Sequence, residues 1–481
     1  MIDLKSFLKQ SSIYTISTFL SRAITLLLVP FYVRALSPKD YGIVDILTVS
    51  VTLINLTIAF EIHQSVARFY NDWNDDQKPI YVSTAFWFTV FIYTVFIISL
   101  FPFRSQLASF FIEDSARVNE VYATFFMAWT SGLYYFTQSQ LRWQLKASKH
   151  AMTSIAFTLI TTLFTILFVL FLKWAVFGVI MGLAIGNLFA TILAICFTTK
   201  TYIFKFHLDK ALEMLRFSMP LVLSSVSIFF SLFIDRLLIK QFLDLTQLGL
   251  FSIGLKFASV VGLFLAGINN ALTPLIYSHH KDEGTPKQIE KIFRLFIFFS
   301  SVSFLAITLN RHEILALFTT KAYYNAASVI PILVLTTLMS SIYNFTPGLF
   351  IANKTYLVSY INFFIAAVNT ILNILLIPVW GIVGASLATL MGYCISFIIY
   401  VYFNQKYYPI NFFWLKYCGA LILVLIGVAL TEMISFPSIK INVGYKICVW
   451  VISSYAISNI LFGASEVKIV LYRITRHFKT Q

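Results

Sequence analysis

The sequence predicts an all-α integral membrane protein of about fourteen membrane-spanning helices, built as two repeated six-helix bundles around a central lumen with an added C-terminal helix pair. Three observations predict it. The 481 residues are 59% hydrophobic and only 11% charged, with a mean hydropathy of +0.83, far from the composition of a soluble domain. Apolar segments long enough to cross a bilayer core of roughly 30 Å follow one another from Ser11 to Phe462. The two halves of the chain also match one another at a nearly constant offset.

Backbone groups in lipid must be satisfied by helices or by a closed barrel, and unbroken apolar runs exclude the alternation of barrel strands. Spans are expected over 11–33, 42–62, 80–101, 118–141, 150–172, 175–198, 216–239, 248–274, 292–310, 328–351, 355–377, 381–403, 411–431 and 443–462. Residues 1–10 are too polar for a signal-peptide core, and the run that follows reaches Val33 without a small-residue cleavage site, so the first helix is expected to remain as a span. The connections are short, which leaves function to the helix bundle.

The chain carries 35 Lys and Arg against 20 Asp and Glu, a net charge of +15. The basic residues sit in short loops, where they orient spans, and nucleic acid is not an expected partner. With the N-terminus inside, about twice as many fall at cytoplasmic as at outer ends, which puts both termini in the cytoplasm. Cys196, Cys394, Cys418 and Cys448 lie in or beside apolar helices without CxxC spacing and read as small core residues.

At an offset of 207 residues Ser17 falls on Ser224, Leu36 on Leu243, Gly42 on Gly249, Ile46 on Ile253 and Tyr70 on Tyr277. At 205 residues, Ala147, Lys149 and Ser154 meet Ala352, Lys354 and Ser359. Two parallel six-helix halves follow, at 1–205 and 206–408, with the extra pair and a cytoplasmic tail over 409–481.

Polar residues share helix faces. Helix one aligns Ser11, Thr15, Thr18, Arg22 and Thr25; helix two aligns Asp45, Thr48, Thr52 and Asn55; helix seven aligns Ser224, Ser227, Ser231 and Asp235; helix eight aligns Ser252, Lys256 and Ser259. An ionisable group at membrane depth costs at least a few kcal/mol, so Arg22, Asp45 and Lys256 are expected to face a wet lumen or one another. Hydroxyls alone serve equally well to bond helices together. Asp235 with Arg236, near the outer end of helix seven, fits a local ion pair as well as a transport role, and Glu61 with His63 is equally open. Gly178, Gly182 and Gly186 supply a small-residue face for close helix packing. His279 and His280 lack spaced partner ligands, so a solvated loop rather than a metal site is expected there. No catalytic residue and no cofactor are expected.

The opening SIYTISTFLSRAITLLLVPFYVRALSPKDYGIVDI resembles the first helix pair of the polysaccharide transporter family, within the multidrug/oligosaccharidyl-lipid/polysaccharide flippase superfamily. RFSMPLVLSSVSIFFSLFIDRLLIKQFLDLTQLGLFSIGLKFA resembles its seventh and eighth helices, and ANKTYLVSYINFFIAAVNTILNILLIPVWGIVGASLATLMGY its eleventh and twelfth. The resemblance implies an O-antigen or related repeat-unit flippase of a bacterial or archaeal cytoplasmic membrane. Its substrate would be an undecaprenyl-pyrophosphate-linked oligosaccharide, moved by alternating access. Membrane lipids, a polysaccharide polymerase and chain-length machinery would be its partners. Arg22 and Lys256 would then be substrate-facing cations with Thr18, Ser224 and Asp235 beside them, and Asp45 would hold one cation or take part in coupling to H+ or Na+, a choice left open.

Two rivals share the superfamily: a multidrug or toxin extruder, for which twelve helices are expected, and a flippase for the peptidoglycan lipid precursor, which also has fourteen. From another class, a membrane glycosyltransferase or polymerase would be expected to carry a sizeable outward loop or a carboxylate-rich segment.

Overall fold

The computed structural model describes residues 13, 16, 17, 19–21, 23–25, 28–279, 281–352, 354–434, 436 and 439–463. Over these residues the chain is all-helical, without strands. Its α-helices are α1 (Val29–Ala35), α2 (Pro38–Thr57), α3 (Ile62–Phe69), α4 (Lys78–Leu100), α5 (Arg104–Ile112), α6 (Val118–Trp143), α7 (Ala147–Ile166), α8 (Ala175–Cys196), α9 (Leu208–Phe242) and α10 (Leu245–His279). There follow α11 (Thr285–Leu309), α12 (Arg311–Phe318), α13 (Ile330–Ile342), α14 (Gly348–Ile351), α15 (Thr355–Tyr407), α16 (Trp414–Met433) and α17 (Ile439–Phe462).

Among the described residues ten segments are long and apolar enough to cross a membrane, and the chain is a multi-pass α-helical membrane protein. Three features separate these ten from the fourteen expected. The expected span 11–33 lies largely outside the described residues. Helices α6 and α9 are not among the ten; α6 carries Glu120, Gln138, Gln140 and Arg142, and α9 carries Asp209, Glu213, Asp235 and Arg236. The expected spans 355–377 and 381–403 are joined in the 53-residue α15, which is interrupted at Gly381, where φ is 58° and ψ is −139°. Such torsions are open to glycine and strained for any other residue.

Local sequence sets the start of α2. Ser37 Oγ accepts from the Asp40 N–H at 3.1 Å, the Asp40 carboxylate accepts from the Ser37 N–H at 3.4 Å, and Pro38 fills the first helical position.

The chain divides into two compact units. The first comprises 1–252, 318–322 and 373–382. In it α6 packs on α4 and α8, and α7 on α8. The small-residue face of α8 meets threonines of α7: a Cβ on Gly182 would lie 2.2 Å from Thr165 Oγ1, and one on Gly186 2.0 Å from Thr161 Oγ1. The second unit comprises 253–317, 323–372 and 383–481. Here α11 packs against both α16 and α17. Buried Glu290 accepts from Arg294 through both oxygens, at 3.1 and 2.6 Å, and from Tyr417 Oη at 2.9 Å, so one carboxylate ties α16 to α11.

Candidate functional site

Among the described residues of the first unit, two groups of ionisable side chains include a buried carboxylate. One lies near the N-terminal end of α2, where that helix crosses the start of α10. A Cβ placed on Gly42 would fall 2.0 Å from the Leu245 carbonyl oxygen, and one on Gly249 would fall 1.9 Å from the Pro38 carbonyl oxygen. Only glycine allows the two backbones this approach. Pro38 and Leu245 are separated by the same 207 residues as Gly42 and Gly249, so the crossing is reciprocal in the register of the internal repeat.

One turn along α2 stands Asp45. Its Oδ2 is 3.2 Å from Arg236 Nε, and Arg236 Nη1 is 3.1 Å from Asp235 Oδ1, which also accepts the Arg236 N–H at 2.8 Å. The guanidinium also lies 4.9 Å from the centre of the Phe233 ring. Asp235 is buried and Arg236 nearly so, at 14% exposure. Two carboxylates that would otherwise repel are therefore bridged by one arginine, joining α2 to α9.

The second group forms where α2 ends. Phe60 and Glu61 adopt φ of 48° and 53°, the left-handed region, at a cost of roughly 1–2 kcal/mol each. The break separates α2 from α3 and brings Glu61 and His63, both buried, to neighbouring helices. Ser225 Oγ of α9 donates to Glu61 Oε1 at 2.6 Å, and His63 Nδ1 lies 3.4 Å from Glu61 Oε2. The His63 ring meets Tyr135 of α6 edge to face at 4.7 Å. In the last turn of α2, before this break, Asn55 accepts from Tyr93 Oη at 2.8 Å and donates to Ser131 Oγ at 3.0 Å, so polar contacts extend between α2, α4 and α6.

Of the residues singled out in the sequence, Arg22 and Thr18 lie outside the described residues. Asp45 and Asp235 come together through Arg236, the member of the cluster that the face pattern did not select. Lys256 is half-buried on α10, its carbonyl accepting from Ser259 Oγ at 2.7 Å. Ser224 is exposed; the serine that reaches a buried carboxylate is its neighbour Ser225.

A family model described as "Polysaccharide biosynthesis protein" matches residues 31–284, and a second, MatE, matches residues 220–375. Lsg locus putative protein 1 of Haemophilus influenzae is 22% identical over 284 residues, which span 57% of this chain and 67% of that protein. Among solved structures, the lipid II flippase MurJ in an inward closed conformation superposes with a TM-score of 0.78 at 17% identity, covering 93% of this chain and 98% of MurJ. An inward-facing multidrug resistance MATE family transporter of the MOP superfamily gives a TM-score of 0.64 at 10% identity, covering 80% of this chain and 95% of that one. These structures share the fold.

Proposed function

The chain belongs to the polysaccharide biosynthesis protein family, and from that premise we propose that it is a flippase for an undecaprenyl-pyrophosphate-linked oligosaccharide, carried from the cytoplasmic to the outer leaflet of the inner membrane by alternating access. The observation that carries this reading is the retention of ionisable groups, Asp45, Glu61, His63, Asp235 and Arg236, inside the helices of a polytopic bundle whose family is named for polysaccharide synthesis. Such groups are expensive in hydrocarbon and are kept where a polar solute passes or an ion is exchanged. A glycan diphosphate cannot cross the bilayer core unaided, because its polar groups would lose hydration without compensation. A polar path through helices removes that loss, and no covalent step is required.

In this reading both termini are cytoplasmic, and Arg22 and Lys256, with Thr18 and Ser224, face the substrate. The reciprocal glycine crossing and the Asp45–Arg236–Asp235 cluster lie toward the outer face. Glu61 and His63 lie toward the inner face, and proton or sodium coupling draws on these carboxylates. Membrane lipids surround the bundle, and a polymerase with chain-length machinery takes up the delivered unit.

The test is deletion of the gene in its host, with isotopic tracing of undecaprenyl-linked intermediates and gel analysis of surface polysaccharide. Loss of polymer with single repeat units held on the cytoplasmic side is expected. Intact polymer with raised drug sensitivity would replace this reading with an extruder. Arrest of wall synthesis with accumulation of the peptidoglycan precursor would replace it with the flippase for that lipid.

A further inference from the structure

The turn between α6 and α7 collects three positive charges. Arg142 lies in the last turn of α6, Lys146 caps α7 and Lys149 lies in its first turn. The turn has a fixed shape. The Lys146 N–H bonds to the Leu141 carbonyl at 2.9 Å, and Leu145 holds φ at 53°, the closing pattern of a Schellman motif. Each cation is held by a neutral group. Arg142 Nη2 donates to Ser139 Oγ at 2.9 Å and Lys146 Nζ to Gln144 Oε1 at 2.6 Å. Lys149 Nζ donates to the Phe197 carbonyl at 3.3 Å and lies 5.4 Å from the centre of that ring. Among the described residues, none of the three has a carboxylate within 4.0 Å.

Orientation of spans by cytoplasmic basic residues explains why such a turn is basic. It does not explain where the charge is directed. Arg142 is itself exposed, so its charge is open to a ligand. Burial and the neighbouring Lys149 push the Lys146 ammonium below the ordinary lysine range. Lys146 and Lys149 repel one another, and a polyanion bridging them removes the repulsion.

We propose that Arg142, Lys146 and Lys149 form a capture site for the diphosphate of an isoprenoid-linked glycan, at the end of the bundle where α6 turns into α7. The proposal rests on the flippase reading and adds to it a residue set distinct from the lumen cations. The planar guanidinium offers a paired donor edge to one phosphoryl group, and the two ammonium groups supply point charges to the other. Gln144 and Ser139, which hold two of these cations, fix their directions when no ligand is present.

The same chemistry is present in a phospholipid headgroup, and the experiment separates the two. The full chain is reconstituted in phosphatidylcholine nanodiscs, and binding of undecaprenyl pyrophosphate is measured by native mass spectrometry against undecaprenol and phosphatidylglycerol. Wild type is expected to prefer the diphosphate. Arg142→Gln with Lys146→Gln is expected to weaken that binding at least about tenfold, Arg142→Lys to retain part of it, and Arg68→Gln, at an exposed pair with Asp72, to leave it unchanged. A double variant that unfolds at the wild-type temperature and binds the diphosphate as tightly would overturn the site and leave the flippase reading standing. Equal binding of phosphatidylglycerol would assign the cluster to a headgroup and overturn the diphosphate assignment. Failure of wild type to bind the diphosphate at all would overturn site and reading together.

Discussion

Gly42 and Gly249 each face the carbonyl that lies four residues before the other, Leu245 for Gly42 and Pro38 for Gly249, at hypothetical Cβ distances of 2.0 and 1.9 Å. Both obstacles are backbone atoms, which cannot rotate aside as a flexible side chain would. Gly42→Ala is therefore expected to push α2 from α10 and cost about 1–3 kcal/mol, with Gly249→Ala costing a similar amount. Because the two substitutions break one contact, the double variant should cost clearly less than the sum. Thermal unfolding in detergent reads this; full additivity would show that the two glycines act separately.

Arg236 is the shared counter-ion of Asp45 and Asp235. Arg236→Gln leaves two carboxylates near one another in a buried setting and should destabilise the first unit by about 3–5 kcal/mol. Adding Asp45→Asn removes one of the stranded charges and should restore part of the loss. If Asp45→Asn worsens Arg236→Gln, the bridging role is wrong.

Glu113 ends α5 with φ at 62°, its N–H bonded to the Ser109 carbonyl, and its side chain is exposed. Glycine takes this left-handed position without steric cost. Glu113→Gly is expected to raise stability by about 0.5–1 kcal/mol once the freedom of glycine in the unfolded chain is deducted. An unchanged or lowered melting temperature would count against this strain.

In the second unit, Glu290 holds Arg294 and Tyr417 together. Glu290→Ala strands Arg294 and should cost about 3–5 kcal/mol. Glu432→Ala breaks the partly exposed pair with Arg311, at 2.7 Å, and should cost under about 1 kcal/mol. Hydrogen exchange should show α16 loosened by the first change and scarcely altered by the second. Equal loosening would show that burial does not set the difference.

Much of this architecture was legible in the residues, since spanning helices follow from apolar run length. The repeat matched Gly42 to Gly249, and these residues meet in the fold. Asp45 and Asp235 stood out as charges on otherwise hydroxyl-bearing faces. Arg236 was read only as a local partner of Asp235; its pairing with Asp45 links helices 191 residues apart, and intrahelical spacing carries no trace of it. Ser225 was missed for a related reason: one residue is about 100° of helix, and the break that delivers Glu61 to it falls at Phe60, with neither glycine nor proline beside it to mark a bend.

The interruption at Gly381 also sets how far α15 can reach. Unbroken, the 53 residues of α15 would make a rod of roughly 80 Å, far beyond a hydrocarbon core of about 30 Å. One backbone torsion turns that rod into a hairpin whose connecting loop has almost no length. The crossings that follow it, α16 and α17, come after that turn in the chain. A side chain at position 381 would strain that turn, since only glycine takes these torsions freely.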